Sequence, residues 1–273
     1  MTEPVAILTD VTRCTGCEEC VAACKAENDL DADHPWRGQG TVRDLSSSRF
    51  CTILRRPDQH SVRQQCRHCI EPACVSACLV GAMQKLPEGP VVYDPSRCMG
   101  CRYCLAACPY GIPRYDWHER VPYVRKCNLC APRLQAGKVP ACVEACPEEA
   151  TIFGTRSEML AEAHRRIAAH PGRYQPVVYG EHEVGGTSVL YLSDIPLDFL
   201  AWRPTLGTEP LPHLTASALG KVPPTILLVG GLMTGIYWVI GRRMRLASEA
   251  GAAPSPDAPP TGVADAPPDG RDA

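Results

Sequence analysis

Residues 98–109 read CMGCRYCLAACP, four thiols within eleven residues and a proline after the last. The spacing is C-x2-C-x2-C-x3-C-P, and three related runs accompany it: CTGCEECVAAC at 14–24, CRHCIEPACVSAC at 66–78 and CNLCAPRLQAGKVPACVEAC at 127–146. Sixteen of the seventeen cysteines lie in these runs, and only Cys51 is left over. Sixteen thiols at this spacing have to be brought to shared centres, and no other feature restricts the fold as strongly.

This is the spacing with which thiolates hold a cubane iron-sulfur cluster. Two-residue gaps let Cys98, Cys101 and Cys104 converge on one cluster, while Cys108, carried away by a turn of helix, reaches the cluster of a partner run. The proline after it fixes φ, lacks an N–H and turns the chain away. Quartets therefore work in pairs, and four runs imply four [4Fe-4S] clusters; the spacing alone leaves open which runs are partners. Zinc knuckles also use C-x2-C pairs, but a third cysteine two residues further on is surplus to a tetrahedral site. Disulfides rarely join neighbours at this spacing, and the total is odd. No histidine or carboxylate constellation accompanies the thiols, which argues against catalytic cysteines. Cys51, in a strand-like segment, reads as a small buried hydrophobe. His68, inside a ligand loop, reads equally as a hydrogen-bond donor to sulfur or as loop packing.

Seventeen cysteines and 27 prolines against three phenylalanines leave little aromatic core for 273 residues. Metal ligation supplies folding energy where packing is thin. A net charge of −2 provides no basic stripe, so no nucleic-acid partner is expected. There is no P-loop, dinucleotide fingerprint, nucleophile elbow or paired-carboxylate site, and the chain is expected to carry no catalytic residue of its own.

Short helical pieces recur around the cysteines, ECVAACKAE, ACVSACLVGA, YCLAACPYG and ACVEACPEEA, as a fourfold internal repeat. TVRDL and RFCTILRR, in the polar insertion 25–65, and VVYDPSRC at 91–98 predict strands. TRSEMLAEAHRRIAAHPG predicts an amphipathic helix with a Thr155–Glu158 capping box, an apolar stripe of Met159, Leu160, Ala163 and Ile167, and a stop at Pro171. GGTSVLYLS predicts a strand at 185–193, followed by a Pro-rich linker, 196–224. The N-terminus, MTEPVAILTD, has neither a positive n-region nor an apolar h-region and predicts no signal peptide. Residues 222–241 run without a charge between Lys221 and Arg242, which at helical rise spans about 30 Å, the bilayer hydrocarbon thickness. One transmembrane helix is expected there. The tail 248–273 is too poor in large apolar residues to order itself.

With the four runs placed, the chain resembles the four-cluster ferredoxin-type electron-transfer subunits of bacterial respiratory oxidoreductases, the family that includes the beta subunits of formate dehydrogenase-N and the ferredoxin-like subunits of membrane-bound nickel-iron hydrogenases. The resemblance covers roughly residues 5–195 and rests on QQCRHCIEPACVSAC, CMGCRYCLAACPYGIPRYDW and RKCNLCAPRLQAGKVPACVEACP, with VYGEHEVGGTSVLYL and the membrane helix pointing to an anchored subgroup. It implies an α+β fold of two intertwined bacterial 2[4Fe-4S] ferredoxin-like modules plus one C-terminal transmembrane helix. The corresponding organisation is a four-cluster domain at 1–195, a Pro-rich linker at 196–221, the membrane helix at 222–241 and a disordered tail at 242–273.

The resemblance also implies the pairing. Cys14, Cys17, Cys20 and Cys146 would hold one cluster; Cys127, Cys130, Cys142 and Cys24 the next; Cys66, Cys69, Cys74 and Cys108 a third; and Cys98, Cys101, Cys104 and Cys78 the fourth. The chain departs from the family where Leu79 follows Cys78 in place of proline, which puts the geometry of that site in question. Cysteine at position 101 makes all four clusters four-iron. The implied role is electron relay between a catalytic subunit holding molybdenum, tungsten or nickel-iron, of the formate dehydrogenase or hydrogenase type, and an integral membrane cytochrome b or quinone-binding subunit. A sulfur-compound or sulfoxide reductase, a non-redox zinc scaffold and a soluble polyferredoxin are the rival roles. Arg242, Arg243 and Arg245, against Lys221 and Arg203, place the tail in the cytoplasm and the cluster domain outside the inner membrane, and the resemblance implies that this domain, with no signal peptide of its own, is exported folded while bound to a partner that carries a twin-arginine signal.

Overall fold

The computed structural model describes residues 3–31, 44–117, 123–202 and 204–251. In chain order the elements are β1 (Val5–Asp10), α1 (Glu19–Glu27), β2 (Cys51–Arg55), β3 (Ser61–Gln65), α2 (Ala73–Ser76), β4 (Met83–Lys85), β5 (Val91–Tyr93), α3 (Tyr103–Ala107), β6 (Arg114–Tyr115), β7 (Val124–Arg125), α4 (Ala131–Gln135), α5 (Ala141–Glu144), β8 (Thr151–Thr155), α6 (Arg156–Ala169), β9 (Val189–Leu192), α7 (Leu211–Leu219) and α8 (Val222–Gly251). They form two compact units, residues 1–216 and 217–273.

In the first unit, β1 is the middle strand of a sheet ordered β8-β1-β9. It runs antiparallel to β8, with Ile7 opposite Phe153, and parallel to β9, with Ile7 opposite Val189. A strand covered on both faces reads as a continuous apolar run rather than an alternating one, and VAILT is such a run: Ala6, Ile7 and Leu8 are fully buried. Ala6 and Leu8 pack on Met159 and Ala163 of α6, with Leu160 and Ile167 partly buried beside them. The Thr155–Glu158 capping box is present, and α6 ends at Ala169, two residues before Pro171. The remaining strands form antiparallel pairs, β2 with β3, β4 with β5 and β6 with β7. α1 packs on α5, and α2 packs on α3.

Several local expectations need correcting. Around the second, third and fourth runs the helices last only four or five residues. Pro109 ends the one in the third run, because Cys108, the residue before it, is driven out of the helical region. RFCTILRR supplies β2, but its partner β3, SVRQQ, carries no clean apolar alternation and was not foreseen. Of TVRDL, residues 41–43 lie outside the described residues, and Asp44 and Leu45 are not in a strand.

The segment read as a Pro-rich linker begins as core. Leu197, Leu200 and Trp202 are at most 3% exposed. The Trp202 ring lies 4.9 Å from Tyr110, 6.0 Å from Tyr179 and 6.1 Å from Tyr191. The Arg67 guanidinium lies over Tyr191, Trp202 and Tyr110, at 4.6, 5.1 and 5.7 Å from their centroids. A stacked cation of this kind needs planar neighbours on several sides, and the tyrosines and Trp202 come from segments far apart in sequence. The same stretch then forms α7. Arg203, counted above as a flanking charge, lies outside the described residues.

α8 extends past residue 241 to Gly251. Together, Leu211–Gly251 is long and apolar enough to cross a membrane, and among the described residues no other helix is. Ile226, Leu227, Leu228 and Leu232 stand exposed along it, with Tyr237 and Trp238 near the arginines. The Arg242 guanidinium lies 5.5 Å from the Trp238 ring. Of the tail read as disordered, residues from 252 onward lie outside the described residues.

Candidate iron-sulfur centres

The ligand loops come in two shapes. In the first and third runs an aspartate opens a single 3-10 turn, Asp10 accepting from Thr12 and Asp94 from Ser96. The glycine between the first two cysteines is left-handed, Gly16 at φ +74° and Gly100 at φ +76°. The residue after the second cysteine is left-handed too, Glu18 at +66° and Arg102 at +63°. The second and fourth runs instead place the left-handed turn before their second cysteine, at His68 and Leu129, and start the next helix after a proline, Pro72 or Pro140. The fourfold repeat is thus two alternating patterns.

These loops bring the cysteines together in groups drawn from different runs. Cys14, Cys17, Cys20 and Cys146 line one opening of about 390 Å³. Cys78, Cys98, Cys101 and Cys104 line another of about 310 Å³. Burial pushes the Cys24 thiol up, and Cys142 and Cys130 beside it push further; Cys127 is raised in the same way, with Cys24 and Cys142 among its neighbours. Burial raises Cys69 next to Cys66, Cys108 and Cys74, and lifts Cys74 to about 12. Cys104 is pushed up to about 11 by burial and then by Cys78, Cys98 and Cys101. Neighbours also cross between groups: Cys20 lies near Cys24 and Cys142, Cys127 near Cys66, and Cys74 near Cys104. The four groups therefore follow one another, with exposed Cys17 in the first and exposed Cys101 in the last.

The surroundings suit thiolate ligands of iron. Backbone N–H groups point at sulfur: Ala82 and Met83 donate to Cys78 Sγ at 3.2 and 3.3 Å, Gly100 to Cys98 at 3.4 Å, Leu129 to Cys127 at 3.4 Å and Ile112 to Cys108 at 3.5 Å. Such donors favour the charged sulfur and tune a cluster's potential. Cys78 receives two of them although Leu79, 71% exposed, stands where a proline was expected, so the substitution leaves Cys78 with its group. All seventeen cysteines are free of disulfides. Among the described residues no three His, Cys, Asp or Glu side chains converge closely enough to hold a single metal ion. A tetrahedral zinc with 2.3 Å bonds needs sulfurs within about 4 Å of each other.

Residues outside the runs complete the sites. Arg55 Nη2 donates to Gly16 O at 2.8 Å and pairs with Glu18 at 3.1 Å, fastening the β2–β3 hairpin to the first loop. Buried Lys126 donates to Cys127 O at 2.8 Å and to Val91 O, and Lys85 to Cys69 O at 2.8 Å. Burial lowers Lys85 to about 8. His68 lies 3.5 Å from Cys127 Sγ, which favours the donor role over simple packing. Cys51 is buried as expected, and it also acts as a donor: its hydrogen bond is the largest influence lowering Cys20, to about 6, while Cys51 itself is raised and keeps its proton. Lys85 and Cys51 could not be tied to the sites by spacing, since each arrives on a strand remote from the cysteine it serves.

Comparison with known proteins points to iron-sulfur relatives. Residues 58–156 match the 4Fe-4S dicluster domain family. A protein of Nitratidesulfovibrio vulgaris is 43% identical over 253 residues, 89% of this chain and 68% of that protein. The hydrogenase-2 operon protein HybA of Shigella flexneri is 36% identical over 233 residues, 71% of each chain. The nitrate-inducible formate dehydrogenase iron-sulfur subunit of Escherichia coli is 37% identical over 201 residues, 69% of this chain and 67% of that one. Among solved structures, the active site complex BamBC of benzoyl coenzyme A reductase in complex with zinc aligns with 62% of this chain and 92% of its own at 19% identity, with a TM-score of 0.27, too low to bear on the fold. The chain belongs to the family of iron-sulfur subunits that includes HybA and the iron-sulfur subunits of formate dehydrogenases.

Proposed function

We propose that this chain is a non-catalytic electron-transfer subunit carrying four [4Fe-4S] clusters. Cys14, Cys17, Cys20 and Cys146 hold the first, Cys24, Cys127, Cys130 and Cys142 the second, Cys66, Cys69, Cys74 and Cys108 the third, and Cys78, Cys98, Cys101 and Cys104 the fourth. The observation that carries this proposal is that two openings are each lined by three cysteines of one run and one of another, Cys14, Cys17 and Cys20 with Cys146, and Cys98, Cys101 and Cys104 with Cys78. When bound, a four-iron cluster supplies one-electron storage. The protein's part is to set charge, hydrogen bonding and solvent access around each quartet.

The pairing of β1 with β8 and of α1 with α5 supports one ferredoxin-like module made from the first and fourth runs. That of β4 with β5 and of α2 with α3 supports a second, made from the middle runs and inserted into the first. The partners are a catalytic subunit of the hydrogenase or formate dehydrogenase type and a membrane cytochrome b or quinone-binding subunit. The exposed apolar helix anchors the chain in the inner membrane with a single pass, tail inside and cluster domain outside.

A tagged full chain, extracted anaerobically in detergent, should be brown, bleach with dithionite and bring with it a large subunit identifiable by mass spectrometry. A colourless chain that copurifies with no oxidoreductase subunit would overturn the proposal. Protease added to intact spheroplasts should digest the cluster domain; its survival would reverse the orientation.

A further inference from the structure

Arg63 is a buried cation with no carboxylate beside it among the described residues. It lies on β3 opposite Ile53 and is 1% exposed. Its Nη2 donates to Thr9 Oγ1 at 3.2 Å. Its Nε and Nη1 are buried without a hydrogen-bond partner, and among the described residues no carboxylate pairs with it. A guanidinium left this way is costly unless the place it faces holds negative charge. That place is identifiable, because Arg63 lines the opening shared by Cys14, Cys17, Cys20 and Cys146. Cys20 of the first group and Cys142 of the second are among its close neighbours.

The strand's two-residue period explains how one residue serves two quartets. Ser61, Arg63 and Gln65 share a face. Ser61 abuts Gly16 of the first ligand loop, and Gln65 Oε1 lies 3.9 Å from Cys142 Sγ of the second group. Arg63, between them, reaches both.

We propose that Arg63 is a positioning residue that supplies a fixed positive charge and two N–H donors to the first two cysteine quartets, and thereby holds the reduction potential of the first above the value a neutral side chain would give. The proposal rests on cluster ligation by those quartets. Uptake of one electron adds one negative charge to the site, and a cation buried in the same low-dielectric region stabilises that form more than the oxidised one. Hydrogen bonds to the sulfurs act in the same direction. If Arg63 served only to hold Thr9 on β1, its charge would be immaterial.

The test compares the intact complex carrying wild-type chain, Arg63→Gln or Arg63→Lys, by iron and sulfide analysis and by redox titration followed with electron paramagnetic resonance. With iron retained, Arg63→Gln should shift one potential negative by at least about tenfold in the reduction equilibrium, about 59 mV for one electron. Arg63→Lys should recover most of the shift. Full iron with four unchanged potentials in Arg63→Gln would overturn the proposal. If Arg63→Gln fails to load the first site, loading by Arg63→Lys supports the need for charge, and failure of both variants overturns it in favour of shape. Wild-type protein without iron and sulfide would remove the ligation on which the role depends, and the role with it.

Discussion

The Val91 N–H donates to His68 Nδ1 at 2.9 Å, so the proton of this buried imidazole sits on Nε2, 3.5 Å from Cys127 Sγ. Burial, and then the Lys126 and Lys85 ammonium groups, hold its pKa well below the ordinary range. His68 is therefore a neutral, tautomerically fixed donor to a ligand of the second quartet. Replacing it with phenylalanine removes about 1 kcal/mol of hydrogen bonding to sulfur, and one potential should fall by about fivefold in the reduction equilibrium. Redox titration with the iron content unchanged checks this, and four unaltered potentials would show that the imidazole merely packs.

Gly16 has no room for a side chain. A Cβ there would sit 2.5 Å from Ser61 Oγ, at a φ of +74°. The left-handed conformation alone costs an L-residue about 1–2 kcal/mol. Gly16→Ala should therefore loosen the first loop from the β2–β3 hairpin, and iron analysis should fall from about sixteen toward about twelve atoms per chain. Full iron would mean that Ser61 gives way.

Trp202 tests whether the stretch after residue 195 is core. Trp202→Ala removes a ring packed at steep angles among three tyrosines and beside Arg67, and burial losses of this kind run to about 3–5 kcal/mol. A thermal melt of the variant should show a clear drop in midpoint. An unchanged midpoint would restore the segment to linker status.

His60 joins the β2–β3 turn to the end of β9 through Asp194, Nε2 to Oδ2 at 3.0 Å. That hydrogen bond, helped by Asp58 and opposed by burial, raises the imidazole pKa. A raised folded-state value contributes stability that is complete below the unfolded value of about 6.5 and is lost as pH rises through the folded value. The pair is partly exposed, so the effect should not exceed about 1 kcal/mol. Melting midpoints recorded from pH 6 to 9 should decline slightly in the wild type and less in His60→Gln; parallel curves would exclude the contribution.

The four cysteine runs and α6 were legible in the sequence because ligand spacing and capping are local. Thr155, Glu158 and Met159 announce their helix within one turn, and C-x2-C-x2-C announces its loop. β1 was not foreseen, because a strand buried on both faces has no alternation to detect. Trp202 and Leu197 were hidden among prolines, which signal a linker by composition although the side chains between them are buried. Arg63 and Cys51 gave no signal of their roles, since their positions against the first and second quartets follow from how the β2–β3 hairpin folds over a loop roughly forty residues earlier.

Four cysteine quartets that hold four cubanes fix the iron and sulfide content of the chain. Iron and acid-labile sulfide measured together on the anaerobically purified full chain, with Mössbauer spectroscopy to identify the cluster type, test it most directly. About sixteen of each per chain, all in four-iron clusters, is the expected result. Zinc in place of iron, with no labile sulfide, would contradict it.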